Sequence, residues 1–194
     1  MNKKKKLARL TVTALFTALI IVMTVTPYFG YIQYGGVIEI TTIHIAVIFA
    51  ACVLGPAKGA FIGGVWGVSC LLRAFTNTAL YGLFLNPLIS VAPRIIVGLV
   101  AGLIFKAFSR HNAKKVISLT VTAAAGTLTN TVLVLSAISV FGGTLNTYGD
   151  LLELVKSVFA VILSLNGGLE LAAAVIIVPI LYINTEKFFI KKIN

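Results

Sequence analysis

Residues 86–108 read NPLISVAPRIIVGLVAGLIFKAF. The stretch is apolar enough and long enough to cross a bilayer core of roughly 30 Å, which takes about 20 helical residues. Yet it carries Pro93 and Arg94 side by side in its middle. A guanidinium held in lipid is costly, and ionisable residues inside spans face a partner or a wet interior. The stretch therefore fixes the solvent as lipid and marks Arg94 as a residue whose environment must offset its charge.

The rest of the chain agrees. Of 194 residues, 59% are hydrophobic and 11% charged, against roughly 45 to 50% and about 25% in soluble domains. The apolar segments lack the period-two alternation of barrel strands, so helices are the spanning elements. The reading is an all-α integral membrane protein, one domain over residues 1–194, with six transmembrane helices in one bundle. The spans are Leu7–Pro27, Ile40–Leu54, Ala60–Ala74, Asn86–Phe108, Val116–Phe141 and Gly167–Ile183. Gly55 and Pro56 stop the second.

Leu151 to Ile183 would make a helix of about 50 Å if straight, too long for a bilayer without strong tilt. A break at Asn166-Gly167-Gly168 resolves this. Leu151–Leu163 then forms a short extracellular surface helix before the last span, with Asp150 as N-cap and Glu153 at the third helical position. Asn166 caps the sixth span, and Pro179 is a tolerable kink near its inner end.

Charge sets the orientation. Six spans put Lys3 to Lys6, Arg9, Lys58, Lys106, Arg110, Lys114, Lys115, Lys187, Lys191 and Lys192 on one side, 13 of the 16 basic residues. By the positive-inside rule both termini are cytoplasmic. The net charge of +11 is thus a topology signal and an attraction to anionic membrane lipid, not a nucleic-acid footprint. The apolar stretch after the first lysines is followed by no small-x-small cleavage site, so it reads as a span.

Catalysis finds no support. Cys52 and Cys70 fall in spans and behave as small hydrophobes, and His44 and His111 lie on opposite sides of the membrane. HExxH, CxxC, GxSxG and nucleotide-binding loops are all missing from the sequence, so no enzyme, metal or cofactor is expected. Binding and transport remain.

The candidate site lies in the outer half of the bundle. Asn86, Ser90 and Arg94 follow one another at i+4 on the fourth span, with Arg94 about 12 Å below Asn86. The fifth span adds Thr127, Asn130 and Thr131, and the sixth adds Asn166 and Glu170. Three helices bring amides, hydroxyls and one opposite-charge pair to similar depth. Two readings stand: the ligand's anion meets Arg94, with Glu170 orienting it, or the two charges only close the bundle. Asn130 is either a ligand contact or interhelical glue.

Tyr28, Phe29, Tyr31 and Tyr34, with Gly30, Gly35 and Gly36, fill the loop after the first span, and Tyr81 and Phe84 the loop after the third. They form either a lid over an organic ligand or an interfacial aromatic belt. His44, with Thr41 and Thr42, starts the second span on the outer side, where it touches either ligand or loop. Trp66 reads as core. Ala14 and Ala18 make a small-xxx-small stripe on the first span, and Gly59, Gly63 and Gly67 make one on the third.

Taken in order, these features resemble the substrate-binding S component of energy-coupling factor vitamin transporters. The resemblance rests on the lysine-rich start, Ala14-x-x-x-Ala18, Leu54-Gly55-Pro56 with Gly59, the run Asn86-Pro87 to Arg94, and Asn166 with Glu170. It implies a membrane receptor that captures a vitamin outside the cell and delivers it with a transmembrane scaffold subunit and two cytoplasmic ATPases. Ala14 and Ala18 would then be the scaffold-docking motif, and the location a bacterial plasma membrane. Among substrates the chain looks most similar to pantothenate-specific members; Arg94 suits an anion, and the amides and hydroxyls suit a small hydroxylated acid. Riboflavin, a pyridoxine or hydroxymethylpyrimidine-like vitamin, and folate stay open, as do a stand-alone secondary transporter and a structural membrane protein.

Overall fold

Glycines on two neighbouring helices decide how the chain packs. The structure, a computed structural model, describes residues 3–26, 28–34, 38–76, 84–110, 114–141, 167–186 and 190. In chain order it forms α1 (Lys3–Val25), a hairpin of β1 (Tyr31–Tyr34) and β2 (Ile38–Thr41), α2 (Ile43–Leu54), α3 (Pro56–Ala74), the single turn α4 (Pro87–Ser90), α5 (Ala92–Arg110), α6 (Lys115–Phe141) and α7 (Gly167–Thr185). α3 lays Gly59, Gly63 and Gly67 against the main chain of α5. A Cβ at Gly59 would stand 2.5 Å from the Gly98 carbonyl oxygen, one at Gly67 would stand 2.6 Å from Val91 Cα, and one at Gly63 would collide with the Arg94 carbonyl oxygen. Small residues permit this approach, and in lipid such van der Waals contact is a main source of helix association.

The helix α2 sits at the centre. Ten of its 12 residues are buried, and it touches α1, α3, α5, α6 and α7. Ile43, Val47, Ile48, Trp66, Val97, Ala101, Leu119 and Val178 pack the core around it. The turn to α3 is tight because Gly55 takes a φ of 91° and Pro56 opens the next helix at a position that needs no N–H. Arg9 on α1 holds this turn by donating Nη2 to the Leu54 carbonyl at 2.5 Å, while Lys58 Nζ donates to the Arg9 carbonyl at 3.0 Å.

Among the described residues, four helical stretches are long and apolar enough to cross a membrane: Lys3–Val25, Pro87–Ser109, Lys115–Phe141 and Gly167–Thr185. The second and third expected spans differ. α2 starts at Ile43 rather than Ile40 because Ile40 and Thr41 belong to β2, which leaves a helix of about 18 Å. α3 has the length but carries Lys58 and Arg73 near its ends. Nor is the chain purely α-helical. Residues 31–34 and 38–41 pair antiparallel with Tyr31 opposite Thr41 and Tyr34 opposite Ile38, a pairing suited to tyrosine, isoleucine and threonine. The expected surface helix Leu151–Leu163, with Asn166 and Tyr81, lies outside the described residues.

Candidate functional site

The expected fourth span stands as one apolar helical stretch, Pro87–Ser109, whose hydrogen-bond ladder lapses at Pro93, and that lapse explains Arg94. Pro93 has no N–H, so the carbonyl four residues back, that of Ile89, loses its helical partner. Arg94 Nη1 donates to that oxygen at 2.6 Å. Val91, still helical in backbone conformation, is the one residue between α4 and α5, and the guanidinium closes the gap in the ladder that the proline opened. Arg94 is 6% exposed, and its Nε remains buried without a partner. Asn86 caps α4, its Oδ1 accepting the Leu88 N–H at 3.0 Å, and buried Ser90 donates Oγ to the Asn86 carbonyl at 3.1 Å. Both serve the helix start in this arrangement.

Aromatic rings flank the guanidinium. Its central carbon lies 5.2 Å from the Trp66 ring centre and 5.5 Å from that of Phe84, distances at which a cation is attracted to the ring face. Trp66 is there because Gly63 and Gly67, on either side of it, bring α3 down onto α5. Its Nε1 donates to the Tyr31 hydroxyl at 3.1 Å, and that hydroxyl also shares a hydrogen bond with Cys70 Sγ at 2.8 Å. Arg73 stacks over the Tyr31 ring at 4.1 Å. Burial, with Cys70 adding to it, raises the Tyr31 phenol well above its usual pKa, so this hydroxyl stays neutral. Sequence reasoning assigned Trp66 to the core and missed its link to Tyr31 and Arg94; the glycine spacing around it was the available signal.

Glu170 approaches from α7. Among the described residues it forms no ion pair with Arg94. Glu170 Oε1 instead accepts the main-chain N–H of Thr41 at 2.6 Å. The hairpin is thereby fastened on one side to α7 through Thr41 and on the other to α3 through Tyr31.

Further polar atoms lack partners. His44 is fully buried in the first turn of α2, and on α6 Thr127 and Asn130 are 1% and 8% exposed. Both ring nitrogens of His44, Thr127 Oγ1 and Asn130 Oδ1 have no hydrogen-bond partner among the described residues. Helix contacts relate their depths. A Cβ at Gly126 on α6 would meet Ile48 of α2 at 2.7 Å and Ala101 of α5 at 3.7 Å. From that point His44 is four residues before Ile48 on α2, Arg94 seven before Ala101 on α5, and Asn130 four after Gly126 on α6.

A groove of about 1140 Å³ opens elsewhere, between α1 and α3. Ile21, Val25, Phe61, Val68 and Leu72 line it, with Tyr31 and Arg73 at one end, and Arg94, His44, Asn130 and Glu170 are not in its walls. Ala14 and Ala18 are exposed on α1, which buries only Val12, Thr13, Ile20 and Thr24.

Comparison with known proteins is consistent along most of the chain. The family model described as "ECF transporter, substrate-specific component" matches residues 8–182. The chain is 39% identical over 115 residues to the "Pantothenate transporter PanT" of Leuconostoc mesenteroides subsp. mesenteroides, covering 57% of this chain and 55% of that protein. It is 30% identical over 156 residues to the "Pantothenic acid transporter PanT" of Lactococcus lactis subsp. cremoris, covering 73% of this chain and 77% of that protein. The match to the first relative thus spans little more than half of its length. An arginine buried in an apolar helix, buried polar atoms on neighbouring helices without partners among the described residues, and a match over residues 8–182 have one common account: the chain belongs to the substrate-specific components of ECF transporters.

Proposed function

We propose that this chain captures pantothenate at the outer face of a bacterial plasma membrane and passes it inward within an ECF complex. The observation that carries this reading is the set of orphaned polar atoms on α2, α5 and α6: the nitrogens of His44, Arg94 Nε, Thr127 Oγ1 and Asn130 Oδ1. A polar group buried without a partner costs several kcal/mol, roughly, in apolar surroundings. A ligand with a carboxylate and several hydroxyl or amide groups would complete all of them at once. The names of the two relatives point to the same compound.

In this reading α2 and α3 complete six spans of a single domain, and both termini lie in the cytoplasm. Arg94 takes the carboxylate, Glu170 holds the hairpin in place, and Tyr31 closes the site from above. Asn86 and Ser90 shape the helix start beneath which the ligand sits. Ala14 and Ala18 meet a transmembrane scaffold subunit, and two cytoplasmic ATPases supply the energy. The test is isothermal titration of the purified protein with pantothenate, and with riboflavin, pyridoxine and folate in parallel. Tight binding of pantothenate alone is expected. Binding of another vitamin in its place would reassign the substrate, and binding of none would overturn the reading.

A further inference from the structure

His44 is wholly buried, its ring within reach of main-chain acceptors of Thr41 and Glu170, and no donor among the described residues reaches either ring nitrogen. A neutral imidazole has one N–H and one lone pair. A nearby carbonyl can take the N–H, but the lone pair needs a donor. The adjacent main-chain donors are already committed, since the Thr41 N–H goes to Glu170 Oε1 and the Thr42 N–H to the Gly30 carbonyl. Among the described residues, one nitrogen of His44 is therefore a buried acceptor with nothing to accept.

A second such acceptor stands at the same depth. Ile48 of α2 packs where a Cβ of Gly126 on α6 would be. His44 precedes Ile48 by four residues on a helix running inward, and Asn130 follows Gly126 by four on a helix running outward. Both lie about 6 Å outward of that contact. Asn130 Oδ1 is buried and also lacks a donor. Ala101 of α5 marks the same level, and Arg94, seven residues earlier, stands about 10 Å outward of it. Two acceptors thus sit about one helical turn deeper than the backbone of the cationic residue.

We infer that His44, paired with Asn130, is a specificity-determining residue that reads hydrogen-bond donors, hydroxyl or amide N–H, on the part of the substrate away from its carboxylate. The inference rests on the proposed function. It gives the site two poles: Arg94 accepts any small carboxylate, and His44 selects those that present a donor one turn further in. An apolar carboxylate of the same shape would leave both acceptors unpaired, and an unpaired buried group discriminates more strongly than a missing contact.

The experiment is a titration of wild type, His44→Phe, His44→Gln and Arg94→Lys with pantothenate and with its analogue lacking both hydroxyl groups. Wild type should prefer pantothenate by about tenfold or more. His44→Phe, which keeps a ring and loses the acceptor, should bind the two compounds within about threefold of each other, whereas His44→Gln, which keeps an acceptor, should retain most of the preference. Arg94→Lys should weaken both compounds by a similar factor and leave their ratio unchanged. A wild-type protein that binds both equally, or a His44→Phe variant that keeps the wild-type ratio, overturns the role of His44 while leaving pantothenate binding intact. A wild-type protein that binds neither overturns the proposed function first.

Discussion

Replacing Pro93 and Arg94 singly and together separates what the guanidinium does for the helix from what it does for a ligand. In the wild type, Pro93 removes the N–H that the Ile89 carbonyl would use, and Arg94 Nη1 stands in for it at 2.6 Å. Arg94→Ala leaves that buried oxygen orphaned, at a cost of about 1 to 3 kcal/mol. Pro93→Ala restores a main-chain N–H in helical register, so Arg94→Ala on that background no longer orphans the oxygen. The two substitutions should therefore couple by about 1 to 2 kcal/mol, the double variant being more stable than the sum of the single effects. The measurement is reversible unfolding of the ligand-free protein in mild detergent, which excludes any contribution from substrate. Additivity within about 0.5 kcal/mol would refute the account of Arg94 as the group that repairs the proline break. Ligand affinity supplies a second check, because Pro93→Ala should preserve it and Arg94→Ala should not.

Other parts of the site yield sharper contrasts. Gly63→Ala places a methyl group against the Arg94 carbonyl, so it should destabilise by about 1 to 3 kcal/mol through forced separation of α3 and α5; an unchanged melting curve would contradict that packing. Glu170→Gln keeps an oxygen for the Thr41 N–H, whereas Glu170→Ala removes it, so only the alanine variant should speed proteolysis and hydrogen exchange of the 31–41 hairpin. Tryptophan at both Ala14 and Ala18, exposed on α1, should leave pantothenate titration in detergent intact and abolish ATP-dependent uptake by proteoliposomes containing the full complex; normal uptake would remove the docking role.

What the sequence disclosed follows the range of the forces involved. Apolar segments of span length, the Gly55-Pro56 stop and the Gly59, Gly63, Gly67 stripe are written in local composition, and helices with tight α3–α5 packing stand where those features placed them. The buried position of Arg94 also followed from its neighbours in the chain. The hairpin did not, because β1 and β2 are four residues each and become strands only by pairing with each other. Asn86 looked like a third rung of a polar ridge, whereas the helix starts at Pro87 and Asn86 is its cap. Glu170 was foreseen beside Arg94, but its bond to Thr41 depends on a hairpin that local pattern left as loop. The Gly63 and Gly67 spacing marked the face of α3 near Trp66 as one that meets another helix, but which residues Trp66 touches depends on the register of α3 against α5.

The placement of Trp66 has an optical consequence. It is the single tryptophan among 194 residues, so emission excited near 295 nm, roughly the long-wavelength edge of protein absorption, comes from one ring. That ring has a guanidinium 5.2 Å from its centre and gives its N–H to a tyrosine hydroxyl. An anion settling on Arg94 would change the electric field across the indole and displace the charge above it. The chain therefore carries its own fluorescent probe at the candidate site, and intensity or emission wavelength can follow substrate arrival and hairpin closure in real time without any label.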